Sequence, residues 1–316
     1  METLDLLDVT VIEPRLKHPT IFNKFDSLSG GESFVIHNDH DPKPLYYQLL
    51  GERGNIFKWE CLSQGPEIWQ VRITKLTPES GETIGELVAK DYRKAEVFKK
   101  YGIDFCCGGK KSVQTACAEK GVNAVALEQE LNALTETPVA RSQNFAAWDL
   151  SFLADFIVNN HHAYVREAIP ALTEYTTKIA RVHGKNHPEL IAIAEHFTNV
   201  ANELNAHLPK EERVLFPFIQ QLNEAAKTNS TVPRSGFGSI QNPINMLEME
   251  HEAAGSSMEA IRELSQNYTV PADGCTTYRL AFAKLQEFEA DLHQHIHLEN
   301  NILFPKALEL EKKVLV

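Results

Sequence analysis

Two stretches of the chain repeat one arrangement: His207-Leu-Pro-Lys-Glu211-Glu-Arg-Val-Leu-Phe-Pro217 and His295-Ile-His-Leu-Glu299-Asn-Asn-Ile-Leu-Phe-Pro305. In each, an imidazole and a carboxylate stand four residues apart, so on a helix both point the same way, with Cβ atoms about 5–6 Å apart. One helix can therefore offer both groups to one metal ion. Two such helices packed together supply two imidazoles and two carboxylates, enough to hold two metal ions with the carboxylates between them. The pattern points to a dinuclear metal protein.

Ligands must face inward, where a polar side chain without a partner is costly, so the helices that carry them should show them on apolar stripes. Four long amphipathic segments, 148–182, 188–222, 242–267 and 276–312, are joined by short polar connections and predict an up-down four-helix bundle. The second carries Phe197, Val200, Leu204, His207, Glu211, Val214 and Phe218 on one stripe, and the fourth Leu285, Phe288, Leu292, His295, Glu299 and Ile302. The third places His251 among Ile244, Leu247, Ala254, Met258 and Ile261. On the first, Val158, His162, Val165, Ile169 and Leu172 make one stripe, while His161 with Ile157, Tyr164 and Ala168 makes another, so spacing leaves His161 against His162 open.

The predicted inventory is one histidine from each of four helices and one carboxylate from each of two. No thiolate sits on these stripes, and mixed imidazole and carboxylate ligation suits iron ahead of manganese or zinc. Incomplete coordination leaves room for a small diatomic or an oxo bridge. Of the other histidines, His293 and His297 fall off the His295 face and are expected in solvent or outside the first ring of ligands. His183, at the end of the first helix, is expected as a cap, favourable there as a cation; the alternative is an extra group near the site.

With 316 residues and 43% hydrophobic content, the chain can bury sizeable cores across two or three domains. Its formal charge of −12, from 43 acidic against 31 basic residues, argues against phosphate-backbone binding, so nucleic acid is not an expected partner. The N-terminus lacks a signal-peptide pattern and no apolar run approaches a membrane span, which predicts a cytoplasmic protein with no membrane partner. Five cysteines, two of them adjacent, fit reduced thiols better than a disulfide framework.

Residues 1–75 alternate strands and helices: a strand over 4–12, a helix over 18–28, a strand over 33–37, a helix over 44–50, and a hairpin around Gly65-Pro66. A two-layer α/β sandwich is expected. Residues 78–135 form a small helical module, beginning with one helical run from Ile84 to Phe98, and Ser112 and Asn123 are candidate N-caps of two further helices. Between them lies Ile103-Asp-Phe-Cys-Cys-Gly-Gly-Lys-Lys-Ser112. Cys106 and Cys107, beside Lys110, Lys111 and a helix start, are expected to favour thiolate and to be chemical, or else to be structural. A polar connector at 135–142 leads to the bundle at 145–314. The fold class is thus mostly α.

Several signatures occur together: Asn160-His-His162-Ala-Tyr, Arg181-Val-His-Gly184, Glu250-His251-Glu, the two duplicated phrases and Tyr101-Gly-Ile-Asp-Phe-Cys-Cys-Gly-Gly109. Through them residues 78–312 resemble hemerythrin-like domains, and more closely the repair of iron centres family of di-iron proteins, the RIC, YtfE and ScdA group. Residues 1–75 resemble a domain of unknown function similar to the TusA/SirA-like sandwich.

The resemblance implies two iron ions held by His162, His207, His251 and His295 with Glu211 and Glu299 as bridges, and it selects His162 over His161. It also implies restoration of iron–sulfur clusters damaged by nitric oxide or oxidants. The partners would be damaged iron–sulfur proteins and nitric oxide or oxygen, with a homodimer as an assembly to test. Oxygen-carrying hemerythrins have a second histidine where this chain has Gly255, which argues against a reversible oxygen carrier. The TusA-like cysteine is missing around Glu13-Pro14, which argues against sulfur relay by the first segment. The alternative function is a nitric oxide or oxygen sensor that signals through the N-terminal domain.

Overall fold

A computed structural model describes residues 5–53, 57–65, 68–75, 82–135, 144–233 and 235–314. The chain divides into two compact units, Met1–Ser80 and Gly81–Val316.

The first unit runs β1 (Leu6–Asp8), α1 (Pro14–Ser27), β2 (Ser33–Asn38), α2 (Lys43–Arg53), β3 (Phe57–Ser63), β4 (Trp69–Lys75), with sheet order β1-β2-β4-β3. The antiparallel register pairs Phe34 with Ile73 and Ile36 with Val71, and side-chain alternation then buries all four on one face. Phe25 of α1 packs edge-on against Phe57 of β3, and Tyr46 of α2 against the same ring, so both helices meet the sheet and form the expected sandwich. β1 is shorter than the sequence suggests because Asp8 Oδ1 accepts the amide and hydroxyl of Thr10 and turns the chain. α1 starts earlier, at Pro14, a residue whose fixed φ suits a first helical turn. Asp41 Oδ1 accepts the Lys43 amide at the start of α2. Pro66 and Glu67 of the expected hairpin turn lie outside the described residues.

The second unit opens with α3 (Ile84–Lys90), α4 (Lys94–Lys100), α5 (Val113–Lys120) and α6 (Ala124–Thr135). Thr83 and Glu86 form a reciprocal cap on α3. The single run expected from Ile84 to Phe98 is broken, because Asp91 accepts both the amide and the guanidinium of Arg93 and so diverts the backbone. Ser112 and Asn123 accept the backbone amides of Thr115 and Val125, as N-caps should. Residues 78–81 and 136–143, the expected start of the module and most of its connector to the bundle, lie outside the described residues.

Each of three bundle helices contains a widened π turn. The first is α7 (Leu150–Phe156), a π turn at Ile157–His162 and α8 (Ala163–His183). The second is α9 (Glu189–Lys210), a π turn at Glu211–Leu215 and α10 (Phe216–Thr228); the third is α11 (Gln241–Leu264). The fourth is α12 (Thr276–Leu298), a π turn at Glu299–Leu303 and α13 (Phe304–Val314). The duplicated phrase accounts for two of these turns. Phe216 and Phe304 donate five residues back, to the carbonyls of Glu211 and Glu299, immediately before Pro217 and Pro305. Proline has no N–H to give and its ring collides with the carbonyl four residues back, which breaks the α ladder at that point.

The extra residue in the turn shifts the helix phase. Val214, expected on the inner stripe, is 48% exposed, and Leu215 is buried in its place. α9 packs against α8 and α11, and α12 against α8 and α11. One buried cluster runs from Ile84, Phe98 and Phe105 of the helical module into Leu204, Ala254 and Leu292 of the bundle. A second gathers Leu215, Leu247 and Leu298. The histidine and glutamate stripes cross between these two apolar layers.

Candidate metal centre

Six side chains meet at that level. His162 Nε2 stands 3.0 Å from His295 Nε2, and His207 Nε2 stands 3.0 Å from His251 Nε2. Glu211 Oε2 lies 3.4 Å from His162 Nε2 and 3.2 Å from His207 Nε2. Glu299 reaches His295 Nε2 at 3.0 Å through Oε1 and His251 Nε2 at 3.2 Å through Oε2. Two overlapping half-sites result, His162 with His295 and His207 with His251, each completed by the same two carboxylates and all of it buried.

Second partners turn the rings. His162 Nδ1 donates to Glu212 and His207 Nδ1 to Glu250, both at 2.8 Å, and His251 Nδ1 donates to Asn300 at 2.9 Å. A donor at Nδ1 leaves the Nε2 lone pair to face inward, the arrangement a metal-binding imidazole needs. Arg166 and Lys210 in turn pair with Glu212 and Glu250. Among the described residues His295 Nδ1 has no such partner; its ring is stacked on that of His161 at 5.6 Å.

Among the described residues, both oxygens of Glu211 and Oε2 of Glu299 are buried without a hydrogen-bond donor, and two pairs of imidazole nitrogens face each other at contact distance. Uncompensated carboxylates in an apolar layer are strongly unfavourable. Cations shared between the carboxylates would satisfy every one of these atoms, so the residues fit a pair of metal ions. Without metal, protons do part of that work. Burial opposes charge on His162 and His207, but Glu211 and Glu299 outweigh it and lift both to about 10. Burial and Glu299 push Glu211 up, yet His207 and His162 prevail and hold it near 2.

The remaining predicted groups fall elsewhere. His161 Nδ1 donates to Asp291 at 2.9 Å and stays outside the cluster. His183 ends α8 with Nε2 3.3 Å from Cys275 Sγ. Of the two places expected for His293 and His297, solvent fails for His297 and a position outside the ring of ligands holds for both: His297 is fully buried against Tyr92 and Phe105, and burial drives its pKa to about 3. His293 packs edge-on to Phe105. Both face the helical module, whose presence over that side of α12 the bundle periodicity alone does not reveal.

Cys106 and Cys107 come to the edge of the cluster without entering it, Cys107 Sγ lying 3.5 Å from the His251 carbonyl oxygen. The expected thiolate bias fails for Cys106. Its neighbour Cys107, burial and Asp104 hold that thiol well above the ordinary range, while Lys110 and Lys111 pair instead with Glu248 and Glu119. Sequence reading also missed the orienting residues Glu212, Glu250 and Asn300. Their signal is position: each is the immediate neighbour of a ligand in sequence, so it sits about 100° round the helix and addresses a histidine on the adjoining one.

A family model for the hemerythrin HHE cation binding domain matches residues 154–307. A domain of unknown function (DUF542) matches 80–135, and an uncharacterized conserved protein (DUF2249) matches 6–75. The iron-sulfur cluster repair protein YtfE of Enterobacter sp. (strain 638) is 37% identical over 228 residues, 72% of this chain and 96% of that protein. This chain belongs to the YtfE family. The YtfE protein of Yersinia pestis (strain Pestoides F) is 35% identical over 231 residues, 73% of this chain and 98% of its own length. The chain therefore carries more sequence than these YtfE relatives. All six clustered side chains lie within the segment matched by the cation-binding family model, so metal binding by this YtfE-family bundle rests on family and geometry together.

Proposed function

We propose that this chain restores iron–sulfur clusters damaged by nitric oxide or oxidants, using a pair of irons held in the bundle by His162, His207, His251 and His295, with Glu211 and Glu299 shared between them. The observation that carries the reading is the pair of buried carboxylates, each facing two imidazoles from different helices, with both oxygens of Glu211 and Oε2 of Glu299 left without a donor among the described residues. The relatives' printed function, iron–sulfur cluster repair, supports the same reading. Iron in such a site supplies redox chemistry and affinity for a small diatomic ligand.

The chain's own residues set how firmly the metal is held. Glu212, Glu250 and Asn300 keep three imidazoles turned inward, and the apolar layers on either side exclude water. Two nitrogens and two shared carboxylates per ion are few ligands for iron, which favours exchange over permanent retention, and iron is then the cargo delivered to a damaged cluster. The proposed division is a sandwich at 1–75, a helical module with Cys106 and Cys107 at 78–135 and the bundle at 145–314. Among the described residues no helix is long and apolar enough to cross a membrane, in keeping with cytoplasmic iron–sulfur clients.

The test is recovery of activity in an iron–sulfur enzyme inactivated by nitric oxide, with the purified chain as sole iron source. Recovery that tracks iron lost from the chain supports repair. Stoichiometric binding of nitric oxide with no recovery would favour the sensor instead.

A further inference from the structure

The loop between α4 and α5 builds a cluster of its own. Cys106 Sγ and Cys107 Sγ are 3.8 Å apart, and Asp104 Oδ1 lies 3.0 Å from Cys106 Sγ. One donor atom from each of the three lies within 4.8 Å of the others. Two thiolates on one tetrahedral ion at about 2.3 Å each place their sulfurs about 3.8 Å apart. The observed separation already matches. Asp104 is held for the purpose: Oδ1 accepts the amides of Cys106 and Cys107 and Oδ2 that of Gly108, so the loop is wrapped around its carboxylate.

The neighbours leave the cluster reachable and without a direct cationic partner among the described residues. It borders a cavity of about 300 Å³ whose walls include Glu252, Gly255 and His293 together with Lys99, Lys111 and Arg262. Lys110 and Lys111 are engaged elsewhere, and among the described residues no cation pairs with Asp104. Three donors this close repel one another once ionised, and a divalent cation is the group that relieves the repulsion. The loop is also fixed from outside, since Asn301 Nδ2 donates to the Phe105 carbonyl at 3.1 Å.

We propose that Asp104, Cys106 and Cys107 form a second metal site, separate from the bundle centre, for one thiophilic divalent ion such as zinc or ferrous iron, with a coordination position open to the cavity. On binding, the thiol protons leave to solvent and two metal–sulfur bonds form with no change of oxidation state. The site stands on the loop's geometry and does not require the repair reading. It differs from the bundle centre in donor type, two sulfurs and one oxygen against nitrogen and oxygen alone, so a soft ion separates the two.

The experiment is a titration of the full chain, purified with its bundle metal and reduced with a phosphine, by cadmium chloride, following thiolate-to-cadmium absorption in the ultraviolet. Saturation at one equivalent is expected. The band should vanish in Cys106→Ser/Cys107→Ser, persist in Cys61→Ser/Cys275→Ser, and weaken in affinity by at least about tenfold in Asp104→Asn. A missing band, or one that survives loss of both Cys106 and Cys107, overturns the site. Should the double serine variant fold poorly by circular dichroism, Asp104→Asn decides, and unchanged affinity there overturns the site equally. Cluster recovery failing while the cadmium band remains would count against repair alone.

Discussion

Asn300 Oδ1 accepts a hydrogen bond from His251 Nδ1 at 2.9 Å, and the residue at the matching place in the other duplicated phrase, Glu212, accepts one from His162 Nδ1 at 2.8 Å. The duplication therefore extends past the ligands: the residue after each shared glutamate turns a histidine on a different helix. Such outer partners typically change metal affinity by about 10–100-fold. Asn300→Ala should weaken one of the two metals by that factor in chelator competition, with Asn300→Asp retaining more. Equal affinity in wild type and Asn300→Ala would count against the orienting role.

Proton bookkeeping follows from the same geometry. His162 and His207 are lifted to about 10 in the metal-free site, burial opposing and Glu211 and Glu299 winning. A raised pKa stabilises fully below the ordinary value of about 6.5 and the benefit is lost as pH climbs through 10, so metal-free protein should lose stability between about pH 7 and 10. Ligation requires neutral imidazole, and loading at pH 7.5 should release about two protons per chain from these residues. Indicator-dye titration in weak buffer measures it; release well under one proton would show that the rings are already neutral.

Gly255 is explained by what faces it. A Cβ there would stand 3.1 Å from Cys107 Sγ, so the position that argues against an oxygen carrier is one where a thiol from the helical module occupies the space. Alanine in a helix interior is ordinarily favoured over glycine by roughly 0.5–1 kcal/mol. Gly255→Ala should show that gain in a Cys107→Ala background and show less, or a loss, in the native one. Chemical denaturation of the four proteins should give a coupling above about 0.5 kcal/mol, and additivity within about 0.3 kcal/mol would refute the contact.

Cys275 is the exposed thiol most ready to ionise. Its sulfur is met by the Tyr278 amide, His183 and the Thr277 amide, which bring its pKa from 9.0 to about 7. A lowered value favours thiolate, so alkylation of Cys275, followed peptide by peptide, should rise with a midpoint near pH 7. His183→Ala should move that midpoint upward. A midpoint near 9 in both proteins would contradict the pairing.

Much of this architecture is legible in the sequence because ligand helices must hide their ligands. The stripes through His207, His251 and His295 needed only the helical repeat, since each histidine lies among apolar neighbours that are themselves buried. The repeat fails where the helix does: Val214 turns outward because the π turn at Glu211–Leu215 adds a residue, and only Pro217 hints at it. Asp91 broke a helix by accepting the amide and guanidinium of Arg93, bonds that periodicity cannot register. The raised pKa of Cys106 comes from Cys107, from burial and from Asp104, and of these the burial cannot be read from neighbours along the chain. His297, buried under Tyr92, shows the same dependence on packing between modules.

In the proposed centre, six side chains grip two irons through shared carboxylates. Elemental analysis with iron spectroscopy on wild type and on Glu211→Ala/Glu299→Ala tests it most directly. Two irons per chain with a coupled dinuclear signature are expected in wild type, and loss of both in the variant with the helical content retained. Metal content unchanged in the variant, or a single iron in wild type, would contradict it.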